Sequence, residues 1–206
     1  MGYTTEFIGT FTINKPVSED VASLFRGLTN TRRMKRDNAY LIEHGYGDCG
    51  IDGEFFVEDL ENYGQDSCLE SIIEYNFPPS TQPSLWCNWE LLDDNQTICW
   101  NYAEKFYNYV EWIEYLINNL LKPKNYIVNG VVAYQGEDFD DFGTIFVRDN
   151  HVHHFPQLRK PLFLFSHLLF ALWMQSLADF AMNLSIYSRS LVSSSTSLSS
   201  FDASLY

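Results

Sequence analysis

The chain has 206 residues, 46% of them hydrophobic and 17% aromatic, and carries 27 acidic against 13 basic side chains for a formal net charge of −14. That length supports one domain with a substantial core and is short for two, and the apolar content excludes disorder by composition. The acidity repels phosphate, which excludes duplex nucleic acid as a direct partner and leaves a basic protein surface, or simple solubility, as its use.

The charge is uneven, since residues 1–154 hold 25 acidic and 10 basic side chains, net −15, while 155–206 hold two and three. "YTTEFIGTFTI" alternates, with Tyr3, Thr5, Phe7, Phe11 and Ile13 on one side, the period of a half-buried strand. Pro16 and Ser18 announce a helix over 18–28: Ser18 is placed to cap it, Glu19 and Asp20 suit its positive start, and Val21, Leu24, Phe25 and Leu28 share a face. "TRRMKRD" then concentrates Arg32, Arg33, Lys35 and Arg36. Residues 44–67 read as Gly- and acid-rich loop with a short strand near Phe55–Val57.

"LWCNWELLDDNQTICWNY" reads as a hairpin turning at Asp94-Asn95. Pairing residues whose numbers sum to 189 puts Leu85, Cys87, Trp89 and Leu91 on the face of Ile98, Trp100 and Tyr102, and sets Cys99 against Glu90 rather than against another cysteine. The four cysteines show no metal-binding spacing and "MGYTTEFIG" carries no signal-peptide pattern, so they read as reduced thiols in a cytoplasmic protein. "AEKFYNYVEWIEYLINNLLKP" is the strongest helical pattern, 103–121, with Phe106, Val110, Ile113, Ile117 and Leu120 as its buried stripe and Lys122-Pro123 as its stop. Tyr107, Trp112 and Tyr115 flank that stripe, as a partner-binding surface or as the margin of a wide core contact. "YIVNGVVAY" and "TIFVRDN" read as two antiparallel strands.

The tail changes character. "PLFLFSHLLFALWMQSLADFAMNLSI" is long enough to span a bilayer, but Asp179 alone costs about 3 kcal/mol there and His167, Gln175 and Asn183 add more. A membrane anchor over 162–186, an amphipathic helix lying on the domain, and an appended segment all remain open readings.

Four constellations carry candidate chemistry. Asp138, Asp140, Gly143, Ile145 and Asp149 match a calcium-loop spacing, but Phe142 and Phe146 occupy ligand positions and the flanks read as strands. His151 and His153, two apart on a strand, face the same way and could join Asp149 on a metal. Cys49 or Cys68 with His44 has the residue types of a nucleophile pair without a motif. Arg32, Arg33, Lys35 and Arg36 read as a partner-binding patch or as ion pairs among many carboxylates.

"NTRRMKRD", "PPSTQPSLWCNW", "EKFYNYVEWIEYLINNLLKP" and "NGVVAYQGEDFDDFGTIFVRDNHV" together resemble a family of small uncharacterised acidic proteins of bacteria and phages, over residues 1–152. The resemblance implies a self-contained α+β domain and transfers no catalytic residue. The tail departs from it, which favours residues 153–206 as an extension.

These readings converge on an α+β domain over 1–152, with an antiparallel sheet of five or six strands, the 103–121 helix across one face and the short helix beside it. A hydrophobic then Ser-rich tail over 153–206 would contain the C-terminal helix. The leading functional expectation is a non-enzymatic acidic protein-interaction module without a cofactor. The alternatives are a membrane-tethered adaptor and a metal-dependent enzyme using the carboxylates and histidines of 137–151.

Overall fold

The computed structural model describes residues 2–58 and 61–157. The expected tail helix, with its membrane reading, lies outside them. Among the described residues no helix is long and apolar enough to cross a membrane.

The fold is α+β. Its strands are β1 (Thr5–Ile13), β2 (Lys35–Arg36), β3 (Ile72–Glu74), β4 (Trp89–Leu91), β5 (Thr97–Trp100), β6 (Val128–Gly136), β7 (Phe142–Arg148) and β8 (His151–Gln157). Six form one antiparallel sheet in the order β4-β5-β1-β6-β7-β8, while β2 and β3 pair separately. The chain's first strand therefore lies inside the sheet. Its alternation works as expected: Thr5, Phe7, Phe11 and Ile13 are buried, whereas Glu6, Ile8, Thr10 and Thr12 face outward.

Helix α1 (Glu19–Asn30) turns Val21, Ala22, Phe25 and Leu28 into the core. Ser18 occupies the cap position, but its side chain makes no capping bond, contrary to expectation. Its amide instead donates to the Tyr126 hydroxyl at 3.0 Å. Helix α2 (Asn38–Glu43) is capped by Asp37, whose carboxylate accepts from the amides of Ala39 and Tyr40 at 2.9 and 3.2 Å. It closes a satellite cluster of Leu41, Cys49 and Phe56, with Cys68 packed against it.

The β4–β5 register is the expected one: Trp89 faces Trp100, Glu90 faces Cys99 and Leu91 faces Ile98. The turn is an Asx arrangement in which Asp94 accepts from the amides of Gln96 and Thr97 at 2.9 and 2.8 Å while Asn95 takes a left-handed φ of 54°. The hairpin is shorter than its apolar pattern, because Leu85 and Tyr102 lie outside the strands and Tyr102 is exposed. All four cysteines are free. Burial pushes the Cys87 thiol up to about 12, and burial with the Glu90 carboxylate pushes Cys99 up to about 11.

Helix α3 (Tyr109–Tyr115) runs straight into a π-helical segment, Leu116–Leu121. The helix thus starts six residues later than its sequence pattern promises. Tyr102, Lys105 and Asn108 all have left-handed backbone, with φ of 62°, 60° and 56°, which is incompatible with a helix through 103–108. Phe106 is still buried, but from a loop. The wider π turn brings Trp112, Ile113, Leu116, Ile117, Leu120 and Leu121 into one broad apolar contact with the sheet core. Strand β8 continues past the boundary expected at residue 152, adding a sixth strand to the sheet.

Candidate functional site

The basic segment turns inward. Arg33 is 1% exposed, and its guanidinium donates to the carbonyls of Phe56 and Glu54, both at 2.7 Å, and to Gln82 Oε1 at 3.1 Å. Arg36 donates to the carbonyls of Ser67, Cys68 and Gly64 and to Ser71 Oγ, with its plane 4.0 Å from the centre of the Phe56 ring. Arg32 stacks on Tyr75, 4.2 Å from that ring's centre, and donates to its carbonyl. Lys35 pairs with Asp52 at 3.3 Å. The segment is therefore neither an open partner-binding patch nor mainly a set of ion pairs, since its arginines donate mostly to backbone carbonyls of the irregular segment, two of which, Cys68 and Gly64, also accept from the amides of Ser71 and Ser67. Burial pulls the Arg33 guanidinium down to about 10, which leaves it charged at neutral pH.

Trp112 and Tyr115 are core residues, 0% and 5% exposed, so neither offers itself to a partner. The Tyr115 hydroxyl donates to Glu54 Oε2 at 2.9 Å and accepts from Gln82 at 3.2 Å, joining the network around Arg33. Burial raises its pKa. Tyr107 alone of that trio stays half exposed.

The acidic stretch separates into two ends of one strand. Asp138 and Asp140 lie in the β6–β7 connection, while Asp149 and His151 lie at the β7–β8 turn, and at ~3.3 Å per residue β7 holds the two pairs roughly 23 Å apart. The calcium-loop spacing is thus stretched along a strand, and its carboxylates do not converge. Among the described residues no group of three or more His, Cys, Asp or Glu is placed to hold a metal. The connection is tied down by the N-terminus: the Tyr3 hydroxyl donates to Asp141 at 2.6 Å and accepts from the Asp138 amide at 3.2 Å, and the Thr4 amide donates to Glu137 at 2.8 Å. His153 stacks between Phe146 and Phe155. Asp149 pairs loosely with Arg148 at 3.9 Å. His44 engages Tyr40, by stacking at 3.8 Å and through the Tyr40 carbonyl, and burial raises the Cys49 thiol, the reverse of an activated nucleophile.

A cleft of about 960 Å³ opens where the end of α1, the segment entering β4 and the 101–108 loop meet, within the size range of ligand sites. Its wall includes four asparagines, Asn30, Asn88, Asn101 and Asn108, and three aromatic side chains, Tyr63, Trp86 and Tyr107. Ser84 organises the floor: Trp112 Nε1 donates to its hydroxyl at 2.7 Å, and that hydroxyl is shared between the carbonyls of Trp86 at 3.2 Å and Tyr107 at 3.4 Å. Trp86 meets Tyr63 edge to face at 5.5 Å. Thr29 anchors α1 to this wall by donating to the Trp89 carbonyl at 2.7 Å.

Tyr63, Lys105 and Asn108, which line the cleft, have φ of 54°, 60° and 56°, three of the eleven described non-glycine residues with left-handed backbone. Asn88 is 5% exposed as a residue and lines the cleft, and its side chain makes no hydrogen bond to another described residue, although neither of its amide atoms is sealed from solvent. Sequence reasoning found Tyr107 and missed the rest. A signal was present, because three of these amides sit beside aromatics in "CNWE", "WNYA" and "YNYV". No family model, curated protein or solved structure matches the chain.

Proposed function

We propose that the chain is a binding module that takes its ligand in the cleft between α1, the entry to β4 and the 101–108 loop. The observation that carries this reading is that strained backbone coincides with the cleft wall at Tyr63, Lys105 and Asn108. Such conformations cost ~1–3 kcal/mol each and persist where the surrounding fold enforces them, typically at sites that position side chains for a ligand. The Ser84 hub supports the same reading, since it fixes the two aromatic segments relative to each other before anything binds. The test is an amide-resolved NMR titration of the full chain with neutral, cationic and anionic fragments. Saturable shifts clustering at Trp86, Asn88, Asn101 and Tyr107 are expected, and their absence at millimolar concentration in all three classes overturns the reading.

A second reading, a basic protein partner on the acidic surface, is favoured by the inward arginines. With Arg32, Arg33 and Arg36 buried, the outer surface is more acidic than the net charge implies. Affinity capture at low and high salt tests it: a partner lost at high salt supports an electrostatic interface, and one retained regardless of salt contradicts it.

A further inference from the structure

We infer that the cleft is a saccharide site, in which a neutral sugar ring lies on an aromatic face and adjacent hydroxyls engage the Asn88 amide; this rests on the cleft being the ligand site. Asn88 carries the argument. Its amide presents an acceptor and two donors side by side, the residue lines the cleft with only 5% of its surface exposed, and its amide atoms make no hydrogen bond to another described residue while staying open to solvent. Two vicinal hydroxyls, each both donor and acceptor, satisfy such a group in one step. A hydrocarbon would bury it unsatisfied, while a carboxylate or phosphate could use only its N–H groups.

The charge balance selects in the same direction. In a chain of net charge −14, the cleft is lined by one carboxylate, Glu104, and one ammonium, Lys105, adjacent and opposite in sign. That environment has no excess cation for an anionic ligand and no excess carboxylate for a cationic one. Its other polar groups are neutral amides and hydroxyls, including the Asn101 amide, whose oxygen already accepts from the Ala103 N–H at 3.0 Å and whose NH₂ remains for a ligand. Tyr63 and Tyr107 are 59% and 49% exposed, and Trp86 is partly exposed beside them. Aromatic faces carry negative quadrupole potential, which suits the C–H bonds along the apolar face of a pyranose.

The test uses the full chain with maltohexaose, cellohexaose and chitohexaose as neutral probes, read by tryptophan fluorescence and by the Asn88 side-chain NH₂ signals. At least one should bind saturably and shift those signals. Asn88→Leu should weaken that probe at least ~10-fold without lowering the melting temperature. Should that variant fail to fold, Tyr107→Ala, at a half-exposed position, should weaken the same probe by a comparable factor. Fragments that shift the cleft while all three oligosaccharides fail to bind at about 10 mM overturn the saccharide assignment and leave the cleft reading standing. Loss of both responses overturns both. Unchanged sugar affinity in a folded Asn88→Leu, or preference for a peptide probe over every sugar, also overturns the assignment.

Discussion

The six-stranded sheet with α1 and α3 fills its interior through side-chain periodicity, whereas residues 31–88, built of one short helix, single 3₁₀ turns and one two-stranded pairing, gather around guanidinium groups. In the sheet, backbone donors and acceptors pair with each other, so the interior can be apolar. In the irregular segment many carbonyls have no such partner, and an arginine, with five donors in a rigid fork, supplies them. Arg33 and Arg36 between them hold the backbone of Glu54, Phe56, Gly64, Ser67 and Cys68. A strongly acidic protein thus spends part of its scarce positive charge on internal architecture.

The sharpest break of this contrast is Arg33→Met. It removes the donors of two buried carbonyls and of Gln82 while keeping the volume apolar, and should cost ~3–5 kcal/mol in urea unfolding. Arg33→Lys should recover only part of that, because one ammonium cannot reach all three acceptors. A loss under ~1 kcal/mol for the Met variant would sink the idea that the guanidinium organises the segment. Next in size is Gly130→Ala, in the sheet. Gly130 has φ of 150° and a Cβ there would run into the Thr10 carbonyl and Phe11 Cα across the ladder, so ~1–3 kcal/mol is expected in the same assay. Phe11→Leu, which shrinks a fully buried side chain and gives up its edge contact with Trp89, should cost about 1–2 kcal/mol, less than the loss of the Arg33 guanidinium.

The smallest effect belongs to an exposed ion pair. Asp20, bonded to Lys124 at 2.7 Å, has its carboxyl lowered to about 2 by that lysine. Because the folded value lies below the unfolded one, its contribution is present above about pH 3.8 and disappears as pH falls through about 2. Asp20→Asn should therefore melt slightly below the native chain at neutral pH and converge on it only below about pH 2, as differential scanning calorimetry can record.

The same contrast explains what could be read in advance. Strand β1, the β4–β5 register and the β6–β7 pair were legible because each depends on alternation and a local turn, here the Asp94 and Asn95 geometry. The start of α3 was not, because Phe106 and Val110 sit at helical spacing while Lys105 and Asn108 adopt left-handed backbone that spacing does not encode. Arg33 was misjudged for a related reason: its partners are carbonyls 21 and 23 residues away, and a carbonyl leaves no mark in the side-chain alphabet. The strand beneath the 138–149 carboxylate spacing was legible as well, because the alternation of "TIFVRDN" marks it and β7 covers it. Cleft residues such as Asn88 come from five separate stretches of the chain, so only their aromatic neighbours hinted at a common place.

The central position of β1 bears on how the protein is made. Thr12 pairs with Thr97 on one side of β1 and Thr5 with Gly136 on the other, so this strand, once synthesised, waits for partners 85 to 131 residues downstream. At ~5–20 residues per second that delay runs from roughly 4 s for the nearer partner to roughly 26 s for the farther one, and Phe7, Phe11 and Ile13 are not flanked on both sides until β6 is made. Closure of the sheet therefore waits for β6 and should be slow for a domain of this size, because its central ladder joins distant parts of the chain.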